Sequence, residues 1–366
     1  MSETRYDFAI VGAGMAGASL AAELAPYASV VMLEAEDQPG YHATGRSAAF
    51  WDECYGGPDI VPLTLASGAF LREHDLLTQR GALHIARRED KPKVDQFFAE
   101  FADTGATIER LGRDRMIEKL PGIRAEWVDA VWEPACSDID VGALHALYLT
   151  RAKKTGADLA VSRRVIKANQ QGDGWYLLSA DGREFRAAKL INAAGAWADE
   201  LADMAGCDKL GITPYRRTVV QLRTNPVPSP KQPLVLDISG HFYFKPESGR
   251  LWLSPHDEEP SPACDAAPEE LAVAAAIDRL QKVVDIEVER VETKWAGLRS
   301  FAADRLPVYG VDARNTDFFW FAGQGGFGIQ TAPAAAKLAA SMLLERPIPA
   351  TLAAIDVTRY SPARFG

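Results

Sequence analysis

The chain has 366 residues, 47% apolar and 25% charged, with a formal net charge of -10. The length exceeds what one small core organises and calls for two domains. The acidic balance excludes non-specific binding to nucleic acid or anionic membranes. Four cysteines, Cys54, Cys136, Cys207 and Cys264, form no C-x-x-C pair, and the six histidines are scattered. No disulfide framework or metal site is expected, and a reducing, cytoplasmic compartment fits. No run reaches transmembrane length. Glu3 and Asp7, with a scarcely basic N-terminus, read against a signal peptide.

The chain opens on a nucleotide-binding pattern. Tyr6-Asp7-Phe8-Ala9-Ile10-Val11 is a short apolar strand, and Gly12-Ala13-Gly14-Met15-Ala16-Gly17 matches G-x-G-x-x-G. Ala18 to Ala25 is rich in helix formers, and Val30-Val31-Met32-Leu33 is a second strand ending on Glu34. Gly12 makes the tight turn, Gly14 lets a pyrophosphate approach the backbone, and Gly17 lets helix and strand pack closely. The helix N-terminus offers unpaired N–H groups to phosphates. Glu34 stands where an acid accepts hydrogen bonds from a ribose. These parts in register predict a dinucleotide site; an ordinary βαβ turn with coincidental glycines leaves Glu34 unexplained.

Gln38-Pro39-Gly40 is a turn that opens the loop Tyr41 to Ala49. The loop returns toward the nucleotide turn, where Arg46 and Ser47 can serve phosphate oxygens; the alternative is a surface turn with an exposed arginine. Helices are expected over Val61 to His74 and Lys93 to Asp103, the second with Val94, Phe97, Phe98 and Phe101 turned into the core. Ala82 to Ala86 alternates like a strand. Asp140 starts a helix with Leu144, Leu147, Tyr148 and Ala152 spaced for burial. Sheet returns at Leu159-Ala160-Val161 and Arg164-Val165-Ile166. Gly172-Asp173-Gly174 is a hairpin turn before Trp175 to Leu178. Lys189 to Asn192 then runs into Ala193-Ala194-Gly195-Ala196-Trp197, small residues where backbone can approach a ligand closely.

Pro214 to Arg223, Leu234 to Asp237, Phe242 to Lys245 and Leu251 to Ser254 read as short antiparallel strands, distinct from the first domain. Pro268 to Val283 is a helix and Asp285 to Thr293 a strand, followed by Trp295-Ala296-Gly297-Leu298-Arg299. Phe318 to Ala322 is a buried strand, Gly323 to Gly328 a second glycine-rich loop, and Ile329 to Glu345 a long alanine-rich helix. Strand, glycine loop and helix N-terminus again suit an anion or carbonyl. No repeat of fixed period is visible.

A nucleotide turn at one end with a second glycine loop near the other resembles the FAD-dependent amine oxidoreductases of the D-amino-acid oxidase superfamily, which includes glycine and sarcosine oxidases. The resemblance covers nearly the whole chain. Gly12, Gly14, Gly17 and Glu34 match the ADP-binding turn, with Ala16 inside it. Thr44 to Ala49 matches the loop beside the flavin, including Arg46, Ser47 and Ala48. Asn192 to Trp197 matches a second cofactor segment, with Ala194, Gly195 and Trp197. Gly323 to Thr331 looks like the loop and helix that meet the flavin ring, including Gly325, Gly326, Gly328, Ile329, Gln330 and Thr331. Within the superfamily the chain resembles the bacterial D-arginine dehydrogenase type of D-amino-acid dehydrogenase. Gly40 to Ala49, Phe242-Tyr243-Phe244-Lys245-Pro246, Trp295 to Phe301 and Gln324 to Thr331 carry that match.

The resemblance implies an α/β fold (α+β overall). A Rossmann-like FAD-binding domain would take residues 1–50, 136–215 and 300–366. A discontinuous antiparallel-sheet substrate-binding domain would take 51–135 and 216–299. It implies FAD and hydride transfer from an amino acid to flavin N5, giving an imino acid that hydrolyses to a 2-oxo acid and ammonia. No cysteine beyond Cys264 and no histidine beyond His256 is present to anchor the flavin, so non-covalent FAD is expected, with His42 and Cys54 as the alternatives. Arg217 and Arg299 would hold the substrate carboxylate, with Tyr55 and Tyr243 bonding it or closing the site. The backbone at Gly326 would accept from the amine, and the backbone of Val165 would meet adenine. An arginine fork suits a carboxylate. A strand-surface arginine at 216 or 217, and plain packing for Tyr243, are the alternatives. Oxygen or a quinone would take the electrons.

Two positions depart from the D-arginine enzyme. Phe50 replaces a histidine near the substrate, and Gly81-Ala82-Leu83 stands where a glutamate meets the cationic side chain. A buried guanidinium without a partner is costly, so the expected substrate is an apolar or uncharged D-amino acid. Asp52 and Glu53 are expected on a solvated loop; the alternative is that they replace that glutamate at the substrate. A sarcosine- or glycine-type amine oxidase and a 2-hydroxy-acid dehydrogenase remain alternatives on the same fold. A non-catalytic flavin-binding assembly or sensor protein is the alternative of a different class.

Overall fold

The computed structural model describes residues 5–172 and 174–366. Glu3 and Asp173, the centre of the Gly172-Asp173-Gly174 turn, lie outside the described residues.

An eight-stranded sheet is built around Arg5–Val11. This strand pairs in parallel with Glu184–Asn192 on one side and Val30–Leu33 on the other. Asp158–Ala160 extends the parallel run beyond Val30–Leu33, and Phe318–Ala322 pairs in parallel with Glu184–Asn192. Alternation across each strand feeds two cores. Ile10, Met32, Ile191, Phe319 and Phe321 face one side, under helices Met15–Leu24, Val141–Lys154 and Gly328–Leu343. Ala9, Val31, Leu190, Phe318 and Trp320 face the other. Burial on both faces explains why these strands read as unbroken apolar runs. The helix Val61–Glu73 also joins the first core through Leu63, Phe70 and Leu71.

A nine-stranded sheet holds most of the remaining strands. Its spine is Thr213–Asn225 against Glu287–Phe301, paired antiparallel along almost their whole lengths. The segment Trp295 to Arg299 is therefore the end of this long strand and does not follow it. Pairing with a 13-residue partner carries the strand past its expected end at Thr293. The sheet is antiparallel except where Leu234–Asp237 runs parallel to Ala82–Arg87. A three-stranded sheet of Phe50–Trp51, Ser137–Ile139 and Leu77–Gln79 completes the strand pairings.

The nucleotide turn is packed to backbone contact. Gly12 has φ +102°, and a Cβ there would lie 2.4 Å from the Ala193 carbonyl oxygen. A Cβ on Gly17 would lie 1.9 Å from the Gly12 carbonyl oxygen. Gly17→Ala must therefore push the first helix off its strand, at a cost of about 2–3 kcal/mol. The expected outcome is a lower urea midpoint for the FAD-free protein, and an unchanged midpoint contradicts this packing.

Candidate active site

A cavity of about 530 Å³ runs from the nucleotide turn to the second sheet. All the residues expected at the cofactor or substrate line it except Gly17, Tyr55, Gln330 and Thr331. Gly17 sits behind the turn against Gly12. Gln330 is buried and bonds the Asp52 and Tyr55 backbone and Thr64 Oγ1, and Thr331 Oγ1 donates back to the Phe327 carbonyl.

At the nucleotide end, the Glu34 carboxylate braces the turn. Its Oε2 accepts from the Ala13 N–H at 2.9 Å and its Oε1 from Glu36 N–H at 3.0 Å. Thr44 Oγ1 accepts from the Met15 N–H at 2.9 Å, so the returning loop caps the helix that lacks a cap of its own. His145 donates from Nε2 to the Ala13 carbonyl at 2.8 Å. Trp197 packs against His42 with ring centroids 4.8 Å apart. Arg46 lines the cavity, yet its guanidinium is engaged by protein: the carbonyls of Tyr41, Ala266 and Ala296, and the Asp265 carboxylate. It ties the loop to the end of the long strand, where Gly297 leaves room for its stem.

At the other end the long strand pair delivers the two arginines. Arg217 is paired with Gly297 and Tyr215 with Arg299, so Arg217 and Arg299 share one face of the sheet. Arg299 donates to the Tyr55 hydroxyl at 2.7 Å. Gly326 faces this contact; a Cβ there would lie 1.9 Å from the Tyr55 hydroxyl and 3.0 Å from Arg299 Nη1. Arg217 is 4% exposed and donates from Nη2 to Glu258 at 2.9 Å. Its Nε and Nη1 are buried with no hydrogen-bond partner among the described residues. Burial and the neighbouring Arg299 hold the Arg217 guanidinium down at about 10. Burial also opposes the charge on Arg299, but Tyr55, Tyr243, Glu258 and Asp257 more than offset it. Both stay cationic at neutral pH, in an apolar wall that includes Val219, Leu298 and Tyr243.

The solvated loop expected at Asp52 and Glu53 is not found. Asp52 is 3% and Glu53 6% exposed. Asp52 Oδ1 accepts from Cys54 N–H and Tyr55 N–H, and Glu53 Oε2 from Thr107 N–H, so backbone donors draw both carboxyls inward. Neither lines the cavity. Phe50 packs edge-on against Tyr243, and Ala82 and Leu83 are buried in the second sheet. The only acids on the described wall are Glu34, Glu36 and Glu200, on the segments around the nucleotide turn and Trp197.

Sequence reasoning placed Thr44 in the returning loop without its contact to the helix, and missed His145, Glu258, His84 and Glu133. Glu133 carried a signal: it is a lone charge closing the apolar run Ala130-Val131-Trp132. The others act through partners distant in the chain.

A model of FAD-dependent oxidoreductases, DAO, matches residues 7–342. The chain belongs to the DAO family of FAD-dependent oxidoreductases. It is 27% identical over 375 residues to a glycine oxidase of Geobacillus kaustophilus, covering 97% of both chains. It is 25% identical to a mitochondrial dimethylglycine dehydrogenase of Rattus norvegicus, covering 97% of this chain but only 45% of that longer one. The crystal structure of glycine oxidase from Geobacillus kaustophilus superposes with a TM-score of 0.85 at 25% identity, over 98% of this chain and 99% of that one. The chain is thus an FAD-dependent oxidoreductase with an α/β fold. Its described helices include none long and apolar enough to cross a membrane.

FAD fits the residues present. Backbone N–H groups of a helix N-terminus, a carboxylate at the end of the second strand and a cradle of glycines that a Cβ would fill all border one continuous cavity.

The buried acids outside the wall predict a pH effect on stability. Burial pushes the Glu133 carboxyl up to about 7, whereas an unfolded glutamate titrates near about 4.3. Between these values the folded chain holds the proton more tightly, so Glu133 supports the fold at low pH and loses that support as pH rises to about 7. Relative to Glu133→Gln, the wild type should lose about 1–3 kcal/mol between pH 4.5 and 7 in urea titrations. Parallel curves would show that burial does not raise the Glu133 carboxyl.

Proposed function

We propose that the protein oxidises the Cα–N bond of an amino acid, of D configuration and with an apolar or uncharged side chain, to the imino acid. The observation that carries this reading is the buried pair Arg217 and Arg299, with Arg217 Nε and Nη1 left without a partner among the described residues, on the same cavity wall as the glycine loop. Buried polar groups are rarely left unpaired, and a planar carboxylate is the natural acceptor for such a fork. Non-covalently bound FAD supplies the hydride acceptor. The chain's own residues then bind and orient. Arg217 and Arg299 hold the carboxylate, Tyr55 and Tyr243 flank it, and the carbonyls of the Gly325-Gly326 segment accept from the amine. Fixing these groups turns the Cα–H toward one direction, and hydride transfer needs positioning more than a strong protein base. The imine hydrolyses in water to a 2-oxo acid and ammonia.

The side-chain preference follows from charge. No acid on the described wall stands beside Arg217 and Arg299, so a cationic side chain would be desolvated without a partner. We read the eight-stranded sheet and its helices as the cofactor half and the nine-stranded sheet as the substrate half, divided as the sequence suggests. A second reading, oxidation of glycine or of a secondary amine such as sarcosine, is favoured by full-length similarity to a glycine oxidase. The same clamp would serve it.

Two measurements test the proposal. Arg299→Ala should raise KM, lower kcat, and cut kcat/KM about hundredfold, or roughly 3 kcal/mol. Unchanged kinetics would remove Arg299 from the site. Mixed without oxygen, D-methionine, D-leucine or D-phenylalanine should bleach the flavin absorbance and D-arginine should not. Preferential bleaching by glycine or sarcosine would select the second reading, and bleaching by D-arginine would overturn the charge argument.

A further inference from the structure

A buried ionisable cluster lies outside the cavity wall, and none of the roles above uses it. Asp52 follows the short strand Phe50–Trp51, while His84 and Glu133 lie on the paired strands Ala82–Arg87 and Trp127–Glu133. Their carboxylate oxygens and ring nitrogen all lie within 4.8 Å of one another. His84 Nε2 is 2.6 Å from Glu133 Oε1. Asp52 and Glu133 are almost wholly buried, so the cluster is not a solvated charge pair.

We infer that this cluster is a positioning site, in which Asp52, braced by Glu133 and His84, fixes the turn that carries the Tyr55 hydroxyl onto Arg299. The inference rests on the carboxylate reading of Arg217 and Arg299. Asp52 Oδ1 accepts from Cys54 N–H at 3.0 Å and Tyr55 N–H at 2.9 Å, and Glu133 Oε2 takes the Cys54 N–H from the other side at 3.3 Å. Gln330, from the helix that follows the glycine loop, grips the same turn through the Asp52 N–H and the Asp52 and Tyr55 carbonyls. The turn is thus held between the second sheet and the C-terminal helix. Its free end is the Tyr55 ring, packed against Phe327 with its hydroxyl over Gly326 and on Arg299. Burial favours protonated carboxyls here and a neutral His84. One retained proton lets one carboxyl donate to the other, so the pair stays fixed without a full buried charge on each.

Asparagine at 52 keeps the acceptor for Cys54 and Tyr55 and offers N–H where the protonated acid offers O–H. Alanine removes both. Asp52→Ala and Asp52→Asn holoenzymes should therefore differ. Crystal structures should show the Tyr55 hydroxyl off Arg299 in Asp52→Ala and on it in Asp52→Asn. With the amino acid that bleaches the wild-type flavin, Asp52→Ala should raise KM about tenfold with kcat changed less, and Asp52→Asn should restore KM to within about twofold. If Asp52→Ala does not fold with FAD, Glu133→Ala carries the test, with the same displacement of Tyr55 expected. Tyr55 in place on Arg299 in the alanine variant, or Asp52→Asn as defective as Asp52→Ala, overturns the inference. The structural readout stands apart from substrate identity: Tyr55 displaced in a protein that oxidises neither an amino acid nor any other carboxylate-bearing substrate would uphold the positioning and refute the carboxylate reading.

Discussion

Two like charges, Arg217 and Arg299, are held together inside the protein, and much of the site is arranged to make that tolerable. Isolated buried guanidiniums are expensive, and neighbours of one sign raise the cost. Tyr55 and Glu258 each take one donor, and Glu258 in turn is held by Arg305. Arg217 Nε and Nη1 are left with no hydrogen-bond partner among the described residues. The pair exists because two long strands run side by side in a register that sets both side chains on one face. A slip of one residue in one strand would turn its arginine to the other face.

The two ends of the cavity are joined by close backbone packing. Gly12 and Gly17 bring the nucleotide turn onto the first helix and the Ala193–Ala194 segment. Thr44 caps that helix from the returning loop, and Arg46 of the same loop anchors to the far end of the long strand. A single loop therefore spans from the glycine turn to the strand that carries Arg299. Gly326 does the corresponding work at the C-terminal loop, letting Tyr55 and Arg299 close over its backbone.

Much of this was legible in the sequence where the signal is local. The strand, glycine turn, helix and Glu34 follow one another within a few residues, and so do Phe318–Ala322, the second glycine loop and the alanine-rich helix. Long-range pairing hid the rest. Trp295 to Arg299 lies within a strand because Thr213–Asn225 extends it. Arg46 lines the cavity as its position suggests, but the partners that hold its guanidinium, Ala266, Ala296 and Asp265, lie over two hundred residues away in the chain. Asp52 and Glu53 read as solvated because charge usually means surface. Their backbone partners, and the Glu133 and His84 that meet Asp52, emerge only when the sheets close. Glu258, on a proline-rich stretch, has no pattern of its own.

The central claim is that Arg217 and Arg299 recognise a carboxylate attached to the carbon that is oxidised. The most direct test is to mix oxygen-free holoenzyme with D-methionine, D-leucine or D-phenylalanine, and separately with the primary amine that each would give on loss of its carboxylate, following the flavin absorbance. Bleaching by an amino acid with none by its matching amine is the predicted result. Equal bleaching by both members of a pair would show that the arginines do not bind a substrate carboxylate, and the account of the site would fail.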